Sequence, residues 1–174
     1  RVIRFCLLGS GSSGNAIYVE ADGSKILIDN GLSYRQLEAR AQAAGISLAG
    51  LKAIFITHEH ADHVGGLGVF TRKVPVPVYM TPGTADRLPP GIGTVNDIRY
   101  FEAGEDVRLN GMRVGSFSIS HDAADPVSFF VEACDAKLGL AADLGHPTDL
   151  VRQRLANSHG LILESNYCPD MLRR

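Results

Sequence analysis

The chain has 174 residues, 45 % hydrophobic and 21 % charged, with a mean hydropathy of +0.03, so it carries enough apolar surface for one sizeable core and reads as a single domain over residues 1–174. Seventeen Lys and Arg against nineteen Asp and Glu give a formal charge of −2, which excludes the bulk basic field of a nucleic-acid-coating protein and leaves only local patches for such a partner. No apolar run approaches the ~20 residues of a membrane-spanning helix, and the composition excludes a disordered chain.

The first third reads as strand, turn, strand, turn, strand: Val2 to Leu8, Asn15 to Glu20 and Lys25 to Asp29 are β-rich runs divided by Gly9–Gly14 and Asp22-Gly23. Ser33 sits where an N-cap belongs, Leu37, Ala41 and Ala44 recur at helical spacing from Tyr34 to Ala44, and Gly45 stops the helix. Ala53 to Ile56 is a continuous apolar run of strand length that gives way abruptly to Thr57-His58, so a buried strand delivers histidines to its end. Leu67 to Arg72 suits a helix. Val74 to Met80 is expected to be an edge or irregular strand, because Pro75 and Pro77 lack ladder donors. Thr81 to Asn96 reads as a surface loop with a short helix. A second meander is expected from Ile98 to Phe101, Val107 to Leu109, Met112 to Ser120, Val127 to Ala133 and Lys137 to Ala142; Thr148 to Ala156 follows as a helix and Leu161 to Leu163 as a buried strand.

The chemistry concentrates in Thr57-His58-Glu59-His60-Ala61-Asp62-His63, four candidate metal ligands within six residues. From the chain's composition, chance would place His-x-His-x-Asp-His in it with a probability of roughly 5 × 10⁻⁴. Period two in an extended segment turns His58 and His60 to one side, and the bend into the next helix carries Asp62 and His63 toward a second position, so two adjacent metal sites are expected. Imidazole and carboxylate donors without thiolate favour Zn²⁺, with Mn²⁺ and Fe²⁺ as the other candidates. Without metal, three histidines beside a carboxylate would repel one another in mild acid and have little structural use. Glu59, between two ligands, is expected to face away from them.

Cys6, Cys134 and Cys168 are odd in number, far apart and outside any C-x-x-C pair, which argues against a disulfide framework or a thiolate zinc site. With no secretory leader visible, although the sequence begins at Arg1, a cytoplasmic setting without a membrane partner is expected.

His58-x-His60-x-Asp62-His63 resembles the signature of the metallo-β-lactamase superfamily, and other segments agree in order: Asp29 in Ile28-Asp29-Asn30-Gly31, His121 in Ser120-His121-Asp122, and Asp143 in Ala142-Asp143-Leu144-Gly145. Gly9-Ser10-Gly11-Ser12-Ser13-Gly14-Asn15, His121 to Val127 and Glu164-Ser165-Asn166 are similar to the bacterial YycJ/VicX-type branch, described as metal-dependent hydrolases and double-strand DNA exonucleases. The resemblance implies an α/β fold, α+β in some schemes, arranged as a four-layer αββα sandwich with metals at one rim. It implies His58, His60 and His121 on a first metal, Asp62 and His63 on a second, Asp143 bridging them, and Asp62 and Asp143 as the catalytic carboxylates. Asp29, and His146 three residues beyond Asp143, are expected to stand behind the ligands.

A metal-held hydroxide would then attack a phosphodiester, with DNA as the substrate. The alternatives are a hydrolase of a small ester, thioester or lactone, and a catalytically silent metal-binding module. The resemblance also calls for a later histidine that has no counterpart before Arg174, so a C-terminally incomplete chain with a weakly filled second position is expected. The Gly9–Asn15 turn suits either a phosphate cradle or a simple tight turn. His159, Arg72-Lys73 and Arg173-Arg174 are expected at the surface, and Cys168 as a passive thiol.

Overall fold

A computed structural model describes residues 2–163; the expectations on Glu164-Ser165-Asn166, Cys168 and Arg173-Arg174 lie outside them. Arg4–Gly9 (β1), Ala16–Ala21 (β2) and Ser24–Ile28 (β3) form the opening antiparallel meander. Tyr34–Ala43 (α1) follows behind a complete capping box, with Ser33 accepting from Gln36 N and the Gln36 side chain accepting from Ser33 N. The crossover returns the chain to Ala53–Phe55 (β4), parallel to β3. After Ala61–Val64 (α2) and Leu67–Lys73 (α3) come Val78–Met80 (β5), Pro82–Asp86 (α4), a 3₁₀ turn at Pro90–Ile92, and Ile98–Tyr100 (β6). These strands make one sheet in the order β1-β2-β3-β4-β5-β6. Asp106–Leu109 (β7), Met112–Ser118 (β8), Val127–Ala133 (β9), Ala136–Ala141 (β10), Asp149–Leu155 (α5) and Gly160–Leu163 (β11) complete the described chain, the strands forming a second sheet in the order β11-β10-β9-β8-β7.

Three apolar layers separate four structural layers. Alternation within β3 and β4 shows how: Leu27 and Ile54 face Leu37, Phe70 and Leu67 of the helices, whereas Ile26, Ile28 and Phe55 face Val114, Phe129 and Val131 of the second sheet. Both faces of β4 are buried, which is why its sequence is continuously apolar. On the far side of the second sheet, Phe117, Ile119 and Phe130 pack against Val151 of α5. This is the expected αββα arrangement.

Three expectations need correction. The proline-flanked strand is not at an edge: β5 lies between β4 and β6, because Pro75 and Pro77 precede it and Pro77 O accepts from Ile54 N at 3.0 Å without any donor being required of either proline. The strand at Ile98 does not open the second meander but pairs in parallel with β5 in the first sheet. Among the described residues the last strand, β11, is at the edge of its sheet, with Leu161 49 % and Leu163 61 % exposed, rather than buried. No helix among the described residues is long and apolar enough to cross a membrane.

Candidate metal centre

Each element of the centre begins just past the C-terminal end of a strand. Asp29 stands one residue beyond β3, His58 three beyond β4, His121 three beyond β8 and Asp143 two beyond β10, so both sheets deliver side chains to one rim of the sandwich. His60 occupies the N-cap of α2, whose single turn carries Asp62 and brings His63 inward. That turn fits against the Asp29 segment only because Gly31 has no Cβ: one there would lie 1.7 Å from Asp62 O. Asn15 N donates to Asp62 O at 2.7 Å and Asn30 N to His63 O at 2.8 Å, fixing the same approach.

The histidines form a tight group. His58 Nε2 is 3.1 Å from His60 Nδ1, which is 3.3 Å from His121 Nε2, and the His58 and His63 ring centroids are 4.0 Å apart. Two overlapping donor sets result, His58–His60–His121 and His58–His63–Asp143, with one ligand atom per residue lying within 4.8 Å of the others. The structure thus brings together five of the six expected ligands and shares His58 between the sets. Asp62 stands at the side, its Oδ2 3.6 Å from His63 Nε2 and 3.2 Å from Asn15 Nδ2. Asp143 Oδ2 is buried and lies 3.1 Å from His63 Nε2. A buried carboxylate oxygen facing converging imidazole nitrogens fits a divalent cation.

Behind the donors, Asp29 accepts from Thr57 N, from Thr57 Oγ1 and from His63 Nδ1, each at 2.8 Å. Because the Thr57 hydroxyl spends its proton on Asp29, His58 Nδ1–H donates to Thr57 Oγ1 at 3.0 Å and leaves Nε2 a free lone pair. Burial, reinforced by His63, pushes the His58 imidazole down to about 4. Burial acts on His63 in the same sense, but the Asp29 carboxylate and the contacts with Asp143 overcome it and raise His63 to about 10. The His63 contact holds Asp143 below the ordinary carboxylate range despite its burial.

Three participants escape the sequence reading. Thr57 and Asn15 are ordinary turn residues until the fold sets them against His58, His63 and Asp62. The Gly9–Asn15 segment is a tight turn in which Gly14 N donates to Gly11 O and Gly11 N to Asn15 Oδ1, so it is Asn15 that it presents to the centre. Glu59 turns to the His121 loop: Oε1 accepts from Ala124 N at 2.8 Å and Oε2 is buried without a partner. His146 is exposed, and among the described residues no hydrogen bond joins it to the cluster. His159 is also exposed, accepting at Nδ1 from Lys137 N at 3.1 Å. Arg72 and Lys73 are exposed at the end of α3.

The profile of the Metallo-beta-lactamase superfamily matches residues 9–166. Over 173 residues the chain is 36 % identical to Exodeoxyribonuclease YycJ of Bacillus anthracis, covering 98 % of this chain and 66 % of that protein. Over 174 residues it is 32 % identical to Exodeoxyribonuclease WalJ of Streptococcus pneumoniae, covering 98 % and 65 %. A Ribonuclease Z of Mycolicibacterium paratuberculosis is 37 % identical over 116 residues, 57 % of this chain and 39 % of that one. The crystal structure of metallo-beta-lactamase SMB-1 bound to 2-mercaptoethanesulfonate aligns at a TM-score of 0.66 and 20 % identity, over 78 % of this chain and 60 % of the other, a likeness of fold. The chain spans just under two thirds of the length of the two exodeoxyribonucleases it matches.

Proposed function

The chain belongs to the metallo-β-lactamase superfamily, and from that premise we propose that it is a metal-dependent hydrolase of phosphodiester bonds that removes nucleotides from DNA ends. The observation that carries this reading is the pair of donor sets sharing His58 at a rim fed by both sheets. The names of the two relatives that match over almost the whole chain agree with it. His58, His60 and His121 would hold one cation, Asp62 and His63 a second, with Asp143 between them; the donors suit Zn²⁺ first and Mn²⁺ or Fe²⁺ next. Divalent ions held there would polarise a phosphoryl oxygen and make water acidic enough to act as nucleophile near neutral pH.

The chain's own side chains set the donors. Asp29 holds His63 through Nδ1 so that Nε2 points at Asp143, and Thr57 does the same for His58. Asn15 Nδ2 steadies the Asp62 carboxylate. Free thiols at Cys6 and Cys134 suit a cytoplasmic setting.

Incubation with end-labelled duplex DNA and Mn²⁺ or Zn²⁺, beside generic phosphodiester and carboxylic ester substrates, tests the reading. Stepwise release of terminal nucleotides is expected. Ester turnover without nucleotide release would replace it by the small-ester hydrolase, and metal uptake with no turnover by a silent binding module.

A further inference from the structure

We propose that Glu59 is a positioning residue that sets His121 against His58 and His60, by tying the segment carrying two of these donors to the loop carrying the third. The inference rests on the metal-site reading above and deepens it.

His121 stands on the loop 119–126, far from the motif in sequence. That loop is anchored on several sides: Thr81 Oγ1 donates to Asp125 O at 3.2 Å, Gly145 N donates to Ser120 O at 2.8 Å, and Gly83 approaches so closely that a Cβ there would lie 2.7 Å from Asp125 Cβ. These anchors fix it to α4 and to the Asp143 segment, not to the motif. At its end, Val127 N donates to Thr57 O at 3.0 Å, one residue before His58. Within the loop, beside the His121 ring itself, Ala124 N reaches the motif by donating to Glu59 Oε1 at 2.8 Å, from a position three residues past His121 to one flanked by His58 and His60. Glu59 Oε2 is buried with no hydrogen-bond partner, so the carboxylate bears a desolvation cost at the place where it makes this bond. His121 Nε2 already lies 3.3 Å from His60 Nδ1, and a drift of the loop by one ångström would take it out of the reach of a shared cation.

Length, rather than charge, is what the tie requires. Glu59→Gln keeps an acceptor oxygen at the same reach and removes the charge; Glu59→Asp keeps the charge and is one methylene short; Glu59→Ala removes both. Zn²⁺ affinity is measured for each full chain by competition with a chromophoric chelator, and Co²⁺ spectra report coordination. Thermal melting of the metal-free proteins separates donor placement from folding. The expected result is a ten- to hundredfold loss of Zn²⁺ affinity for Ala and Asp, with an altered Co²⁺ spectrum, near-native affinity for Gln, and metal-free melting temperatures close to that of the unsubstituted protein. Affinity retained by Asp and lost by Gln would overturn the tie in favour of a charge effect. Affinity unchanged in all three, lost in all three, or falling only in step with melting temperature would overturn it as well. Failure of the unsubstituted protein to bind Zn²⁺ or Co²⁺ would be recognisable separately, as failure of the metal-site reading itself.

Discussion

Asp29 sits at φ 61° and is 4 % exposed, a left-handed backbone and a buried carboxylate in one residue. Its two oxygens take three hydrogen bonds, from Thr57 N, Thr57 Oγ1 and His63, so removing it orphans a buried amide and leaves His63 without its main counter-charge. Asp29→Ala is therefore expected to destabilise the fold by on the order of 3 kcal/mol and to lower metal content together with it, as read by denaturant titration and elemental analysis. The two central histidines give opposite pH dependences to the metal-free protein. His58 is held neutral, down from 6.5 to about 4, so stability falls as pH drops through that window while the unfolded chain takes up the proton. His63 is raised from 6.5 to about 10, so its contribution is fully present below 6.5 and disappears as pH rises through about 10. Denaturation midpoints of chelator-treated protein across pH 4 to 10.5 should decline toward both ends, and metal uptake at pH 7 should release protons to a dye, because His63 must lose one to become a ligand.

At the scale of elements, the local pattern of apolar residues announces β4 and its histidine-bearing exit, because a strand covered on both faces has no polar positions to interrupt it. Sheet membership is less legible. Val78, Tyr79 and Met80 reveal nothing of a central position, and the prolines before them argue for an edge, since the sequence does not say that the strand starts one residue after Pro77. The assignment of Ile98–Tyr100 to the first sheet depends on the crossover from β5, a tertiary choice. Within the centre, candidate ligands of strong chemical character are visible as letters, while Thr57, Asn15 and the tie at Glu59 gain meaning only from contacts between segments 28, 47 and 65 positions apart. Gly31 belongs to the same class: nothing marks it locally, yet the Asp29 loop and α2 meet across it. Gly31→Ala should push the Asp62 turn outward, since the obstruction is backbone at 1.7 Å, and lower occupancy of the His63 position more than that of the His58–His60–His121 set. Metal stoichiometry alongside far-ultraviolet circular dichroism checks this, the sheets being expected to persist.

For the whole molecule, the stability of the sandwich rests on the inter-sheet layer, where Phe55 stacks on Tyr79 at 4.9 Å and meets Phe129 edge-on at 5.6 Å. Phe55→Ala, at 1 % exposure, is expected to cost about 3–5 kcal/mol by calorimetry and to depress metal binding indirectly. Saturating Zn²⁺ acts in the opposite direction: at a hundred times Kd it should add about 2.7 kcal/mol, visible as a rise of several degrees in Tm.

His58, His60 and His63 come from one sheet, His121 and Asp143 from the other. A cation held by both sides would work as a rivet through the open rim, and its main effect would be on the rate at which the two halves part. Amide hydrogen exchange would make this visible. Stripping the metal should accelerate exchange in the segments 119–126 and 142–148 by orders of magnitude, while the amides of β2, β3 and β4, whose ladders lie within a single sheet, continue to exchange only through global unfolding.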